Sequence, residues 1–180
     1  NKIWISGIRN RYISIPSSRN SEMFVINFRK GMVRPFLQMP LHEITDKVID
    51  GDIILHRIFL EIREALLEIG EVSAMFEMVE KKLTNTYRPA MVVNPFIDYA
   101  VANILQDPRA ARIKAIADKT GYSSKHFITM FKDHVGVNPK TFMRITRFQK
   151  IIAEIERSRK INWAGLAVES GYYDQSHFID

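Results

Sequence analysis

One segment of this chain occurs twice, and that constrains its fold more than any other feature. Ile116-Ala117-Asp118-Lys119-Thr120-Gly121-Tyr122-Ser123-Ser124-Lys125-His126-Phe127-Ile128 returns as Leu166-Ala167-Val168-Glu169-Ser170-Gly171-Tyr172-Tyr173-Asp174-Gln175-Ser176-His177-Phe178-Ile179. The offset is 50 residues through Gly-Tyr and 51 at His-Phe, so the second copy has one extra residue in its turn. A repeat of this kind means one supersecondary unit built twice. Each copy carries the parts of a helix, a tight turn and a second helix. Ala117 or Ala167 is small enough for two helices to cross closely. Four residues on, Gly121 or Gly171 suits a turn with positive φ. Tyr122 or Tyr172 follows to plug the core. Ser123 or Asp174 caps the next helix, four residues before an inward Phe127 or Phe178.

Helix-turn-helix geometry alone also fits a hairpin used only for packing. Charge separates the two readings. From Arg109 to Lys150 there are ten Lys/Arg and two acids, Asp118 and Asp133, whereas Ile151 to Asp180 holds three basic residues and five acids. A net +8 (ten minus two) over 42 residues is what a phosphate-facing surface requires. DNA binding is therefore the expected function.

The flanks of the repeat carry helix signals. Asn94-Pro95 and Asn138-Pro139 each put an N-cap before a proline at the first helical position. Ile97, Val101, Ile104 and Leu105 line the first of these helices, which Asp107-Pro108 ends. Phe142, Ile145, Phe148, Ile152 and Ile155 form a stripe on the second, expected over Asn138 to about Arg157. Earlier in the chain, Ile58, Phe59, Ile62, Ala65, Leu66 and Ile69 share a helical face, with Gly70 as a plausible C-cap. Met75, Phe76, Val79 and Leu83 mark another helix, and Thr84 to Met91 reads as a linker. Residues 1 to about 40 read as strands at Ile3–Ile5, Tyr12–Ile15 and Met23–Phe28, with Gly31 in a turn and Pro40 closing the part.

The chain has no cysteine, which removes disulfides, thiolate zinc sites and cysteine nucleophiles. Its histidines, His42, His56, His126, His134 and His177, form no His-x-His or His-x-x-x-His pattern, so no metal site is expected; His126 and His177 read as local packing or capping groups. Neither a Gly-rich phosphate loop nor a paired-carboxylate or Ser/His/acid pattern is present, so no enzyme activity and no cofactor are expected. At 46% hydrophobic the chain can bury a core. Lacking a signal-peptide pattern or an apolar run of membrane length, it is expected to be soluble, cytoplasmic and free of membrane. It opens without Met and its second copy runs out early, so a piece of a longer protein is expected.

At Gly121-Tyr122-Ser123 … Met130-Phe131-Lys132 … Gly136 … Pro139 and Gly171-Tyr172 … Asp174-Gln175-Ser176-His177-Phe178, the chain resembles the AraC/XylS family of bacterial transcription regulators, over about residues 94–180. The resemblance implies an all-α domain, 89–180, of two helix-turn-helix units joined by a long helix, with the second unit truncated before the family's closing Gly-x-x-Pro. It also implies that residues 1–88 end a β-rich, cupin-like sensor and dimerisation domain with two helices, a similarity carried by element order and by Phe28-Arg29-Lys30-Gly31. The expected class is therefore α+β. DNA-repair methyltransferases with a similar domain need the nucleophilic cysteine that this chain lacks.

With Phe127, Met130 and Phe131 inward, the outward face of the first recognition helix is Ser124, Lys125, Ile128, Thr129 and Lys132. Lys125 suits guanine, and Ile128 or the Thr129 methyl suits a thymine methyl. Gln175, Ser176 and Ile179 hold the matching places in the second unit. Lys140, Thr141, Arg144 and Arg147 on the joining helix, with Lys132, are expected at phosphates, although Arg147 fits a brace between units equally well. Double-stranded operator or promoter DNA is the expected partner. The stripes Ile58/Ile62/Leu66/Ile69 and Met75/Phe76/Val79/Leu83 are expected either to cap the sensor domain or, the favoured reading, to pair with the same helices of a second chain in a homodimer; the family resemblance admits a small-molecule effector and RNA polymerase. Met75, Phe76 and Met78 fit helix packing better than a ligand pocket.

Overall fold

The computed structural model describes residues 2–15, 22–29, 33–37, 39–54, 57–86 and 94–157. These residues are mostly helical, with one two-stranded antiparallel sheet. They fall into two compact units: residues 1–95 with 131–137, and residues 96–130 with 138–180.

In the first unit, β1 (Trp4–Ser6) pairs with β2 (Val48–Asp50) in the register Trp4↔Asp50, Ile5↔Ile49, Ser6↔Val48. The pair closes tightly. A Cβ at Gly7 would fall on the Ile44 carbonyl, so the chain leaving β1 needs glycine there. Asp46, at φ 57°, makes the return turn and accepts the Asn10 backbone N–H at 2.7 Å and its side-chain N–H at 2.9 Å. Leu37, Leu41 and Ile44 form a small buried cluster, joined by Ile5, Ile49 and Ile54.

After a short α1 (Gly51–Ile54), α2 (Arg57–Glu68) and α3 (Val72–Thr86) supply the larger core. Phe36, Ile58, Phe59, Ile62 and Val79 are buried, with Phe24, Ile26, Phe28, Leu66, Met78 and Leu83 packed against them. Phe36 meets Phe59 edge-on at 5.5 Å and Phe28 at 5.4 Å. Of the expected stripe, Ile58, Phe59 and Ile62 are buried, Ala65 and Leu66 are half-buried, and Ile69 lies beyond the end of α2; Met78 is a packing residue. Phe76 is not buried: it is 59% exposed, with its ring 5.0 Å from Phe24. Glu71 opens α3. Its carboxylate accepts the Ser73 hydroxyl and the Ala74 N–H, and these bonds hold it below the usual carboxylate range.

Four expectations for this unit need correction. Tyr12–Ile15 is not a strand; Tyr12 is exposed and meets no pairing partner among the described residues. Residues 23–28 alternate in burial as a strand does, yet form no ladder among the described residues, because the face of Phe24, Ile26 and Phe28 is satisfied by packing on helices. The partner that β1 does find, β2, has only three residues with little apolar pattern. Gly70 is not a left-handed cap, and α3 continues through Thr84 to Thr86, so the linker starts later. Gly31 lies outside the described residues.

The remaining helices are α4 (Pro95–Gln106), α5 (Ile113–Thr120), α6 (Ser124–Val135) and α7 (Pro139–Arg157); both ends of α4 and α7, the end of α5 and the start of α6 fall on their sequence signals. Asp107 ends α4: its carboxylate accepts the N–H groups of Arg109 and Ala110 at 2.9 and 3.0 Å. Gly121 closes α5 at φ 72°, and the Ser123 hydroxyl accepts the His126 N–H at 3.3 Å to open α6. Asn138 Oδ1 accepts the Thr141 N–H at 2.9 Å at the start of α7. Ile97, Ala100, Val101 and Ile104 of α4, Ile116 and Ala117 of α5, Phe127 of α6, and Phe142, Thr146 and Ile151 of α7 are buried. Lys119 Nζ donates to the Tyr99 hydroxyl at 2.9 Å, and Lys150 Nζ to the Gln106 carbonyl at 2.9 Å, tying α5 and α7 to α4.

Four side chains depart from the sequence reading, the first being Leu105, which is exposed and does not share the buried face of Ile97, Val101 and Ile104. Tyr122 is 40% exposed and closes the edge of the unit, meeting Phe96 edge-on at 5.8 Å and His126 at 4.9 Å, instead of plugging its centre. On α7 the buried line runs through Phe142 and Thr146, while Phe148 and Ile152 are exposed, so the expected five-residue stripe is not one buried face. The second helix-turn-helix copy lies outside the described residues.

The turn between α5 and α6 gives a direct test. Gly121→Ala forces a side chain into the left-handed region and should cost about 1–2 kcal/mol. Ser123→Ala removes the cap for about 0.5–2 kcal/mol. Both are read by chemical denaturation. Asp107 tests pH. The N–H groups of Ala110 and Arg109 hold its carboxyl below the usual range in the folded state. Its contribution is therefore full above the ordinary carboxylate value of about 4 and fades as pH falls through the lower folded value. Asp107→Asn should leave a stability profile that declines less on acidification, with the gap to the native chain closing at the acid end.

Candidate nucleic-acid interface

The residues expected to meet DNA sit on two consecutive helices. Phe127 and Phe131 are fully buried and fix which way α6 faces. That leaves Ser124, Lys125, Ile128, Thr129 and Lys132 exposed at helical spacing on the opposite side. Ile128 is 38% exposed, an apolar group on an otherwise polar, basic face. The Thr129 hydroxyl donates to the Lys125 carbonyl at 3.2 Å. On α7, Lys140 and Arg144 are exposed, whereas Thr141 and Arg147 are half-buried. Arg147 Nε is buried without a hydrogen-bond partner among the described residues. Gln175, Ser176 and Ile179 lie outside the described residues.

Electrostatics sets this surface apart from the rest of the chain. Lys125, Lys132, Lys140 and Arg144 form no ion pair among the described residues. By contrast, Arg57 and Arg63 in the first unit each hold a carboxylate within 3.1 Å. Helix starts differ too. The positive end of a helix dipole favours acids and disfavours cations. Glu71 precedes α3 and Asp98 lies in the first turn of α4, as the dipole prefers. The next three helices reverse this. None has an acid in its first turn, and each carries lysine at its second position: Lys114 in α5, Lys125 in α6, Lys140 in α7. Lysine and helix dipole then point at the same place, which suits an anion. Lys114 was missed in the sequence because its helix was not assigned a start; the signal was the same position within each helix.

Among the described residues no three His, Asp or Glu side chains come together. Nor is any described helix long and apolar enough to cross a membrane.

A helix, a left-handed glycine turn and a second helix with a bare basic face define a helix-turn-helix of the DNA-reading kind. Comparison with known proteins agrees. Residues 105–180 match a family described as "Helix-turn-helix domain", and residues 1–50 match one described as "Domain of unknown function (DUF6597)". A Haemophilus influenzae (strain ATCC 51907 / DSM 11121 / KW20 / Rd) protein described as "Uncharacterized HTH-type transcriptional regulator" is 25% identical over 166 residues. The alignment takes in 87% of this chain and 50% of that protein, so the chain spans about half the length of this relative. No solved structure matches. Together with the tandem repeat, these matches support an AraC/XylS-like regulator, with a helix-turn-helix domain over residues 105–180.

The lysines at helix starts make a stability test with an unusual sign. Replacing Lys114, Lys125 or Lys140 with Ala should leave stability unchanged or raise it, by up to about 1 kcal/mol at low salt. If any of the three destabilises the fold by more than about 1 kcal/mol in denaturant titration, that lysine is holding structure.

Proposed function

We propose that the protein is a sequence-specific DNA-binding transcription regulator that reads the major groove with α6. The observation that carries this is the face of α6. It is exposed, basic and unpaired, and it starts at a helix end where lysine is electrostatically misplaced unless an anion is present. Lys125 and Thr129, near the start of α6, reach base edges, and Ser124 and Ile128 flank them. Lys132 on α6 and Lys140, Thr141 and Arg144 at the start of α7 hold phosphates, joined by Lys114. Arg147, half-buried, braces the helices.

The α7 helix has 19 residues, about 28 Å at ~1.5 Å per residue. That is near the ~34 Å between successive major grooves. In our reading the second unit, with Gln175, Ser176 and Ile179, therefore enters the adjacent groove, and one chain covers two grooves without a palindrome. The part before residue 89 is the end of a cupin-like sensor through which an effector acts. The match at residues 1–50 and the strand-like alternation of residues 23–28 support a separate module there. A homodimer is supported by Leu67, Val72 and Phe76, which α2 and α3 leave exposed. RNA polymerase contact, a cytoplasmic location and the lack of enzyme activity belong to the same reading.

Selection of bound duplexes from a random pool by the full-length protein tests the proposal, and recovery of no consensus would defeat it. Two variants then separate base from phosphate contacts. Lys125→Ala should cost about 1–3 kcal/mol at one base pair and relax preference there. Arg144→Ala should weaken consensus and random DNA alike and flatten the salt slope by about one charge. A uniform loss from Lys125→Ala together with a changed consensus from Arg144→Ala would mean that α6 is not the reading helix. Footprinting adds a third measurement: protection of two adjacent grooves per chain is expected, and protection of one would remove the second unit from the contact.

A further inference from the structure

The last turns of α6 differ from its first. Residues 124–130 belong to the helical unit, while residues 131–137 cluster with the N-terminal residues. Residues 41–45 and Ile8 lie against Asp133 and Gly136. The Thr45 hydroxyl donates to the Gly136 carbonyl at 2.5 Å. His42 Nδ1 lies 2.9 Å from Asp133 Oδ1, close enough for ionic attraction though not aligned as a full hydrogen bond. Gly136 sits at φ 100°, and a Cβ there would lie 2.9 Å from Ile8 Cγ2, 3.2 Å from Thr45 Oγ1 and 3.3 Å from the Leu41 carbonyl.

These partners are themselves held in place. His42 lies in the 3-10 turn Leu41–Ile44, which is anchored by burial of Leu41 and Ile44, and Thr45 follows directly. Ile8 is fixed by the Asp46 N–H, which donates to its carbonyl at 3.0 Å. Gly136 is the corner between α6 and α7. Its backbone torsions set the direction in which α7 leaves α6. A firm platform against the corner therefore fixes the angle between the exposed face of α6 and the Lys140–Arg144 start of α7.

We propose that Thr45 and His42 are positioning residues for DNA recognition, holding the α6–α7 corner in the geometry that lets base-reading and phosphate-binding groups engage one duplex together. This rests on the DNA-binding reading above. No group in the joint touches DNA. Its contribution is preorganisation: a loose corner must be ordered on binding, and the cost appears as lost affinity.

The test uses the full-length protein and a duplex selected by it. Thr45→Val keeps the side-chain shape, removes the donor and leaves the Gly136 carbonyl unpaired. It should raise Kd about three- to tenfold. The salt slope should not change, because no phosphate contact is lost. Thr45→Ser retains the hydroxyl and should restore Kd to within about twofold of the native value. Thr45→Ala serves as the second loss variant should valine disturb folding. Hydrogen exchange should quicken at residues 136–138 in the loss variants and remain native in Lys140→Ala. An unchanged or lowered Kd in Thr45→Val, or a flattened salt slope, overturns the proposal. A native protein that selects no duplex defeats the DNA-binding reading, and the positioning role with it. Normal selection with unaffected Thr45 variants defeats the positioning role alone.

Discussion

The left-handed turn at Gly121 governs what the helical unit can present. With φ at 72° the chain leaves α5 and, three residues later, starts α6 in a new direction. A residue with a Cβ resists that conformation. The turn also satisfies its own polar groups. The Thr120 hydroxyl donates to the Ala117 carbonyl at 2.6 Å and accepts the Tyr122 N–H at 3.3 Å, and Ser123 caps α6. Burial of Phe127 and Phe131 then fixes the rotation of α6 about its axis. From this follow both the bare basic face and the spacing of its side chains. No single contact on that face is needed to hold it in place, which leaves its residues available for a ligand.

Much of the helical unit was legible in the sequence, because its signals are local. Asn-Pro starts, an Asp-Pro stop, a glycine turn and a serine cap each act within a few residues of themselves, and the helices begin and end on them. The sheet was less legible for the opposite reason. β2 is three residues long and is defined by pairing with a strand more than forty residues away. Tyr12–Ile15 has strand composition but no partner among the described residues, and composition cannot supply one. Phe148 and Ile152 show the limit of periodicity. They fit a helical stripe, but a helix serving two neighbours buries different faces along its length. The α6 site residues were readable once the inward phenylalanines were placed. Lys114 at the second position of α5 was not legible, because the motif points to the turn and not to the start of the first helix.

The reversed helix ends bear on how this surface is maintained. At α3 and α4 the chain follows the dipole with Glu71 and Asp98; at α5, α6 and α7 it sets lysine against it. Each choice is small, at most about 1 kcal/mol. Three in succession on helices that otherwise follow their local rules point to a requirement outside the fold. Stability alone would favour acids at those positions.

The packing of residues 131–137 with the N-terminal residues has a consequence for modularity. Helix-turn-helix domains are commonly handled as detachable parts, cut from their chains at the connecting segment. Here the cut between α3 and α4 would not fall on a boundary of contacts. It would strip the end of α6 of Thr45, His42 and Ile8, leaving the Gly136 carbonyl and the Asp133 carboxylate to water and opening the space beside a glycine. A fragment made that way keeps every residue of its reading face and loses the scaffold behind one end of it. Such a fragment and the intact chain are, at this corner, different molecules, and measurements on one do not transfer to the other by subtraction.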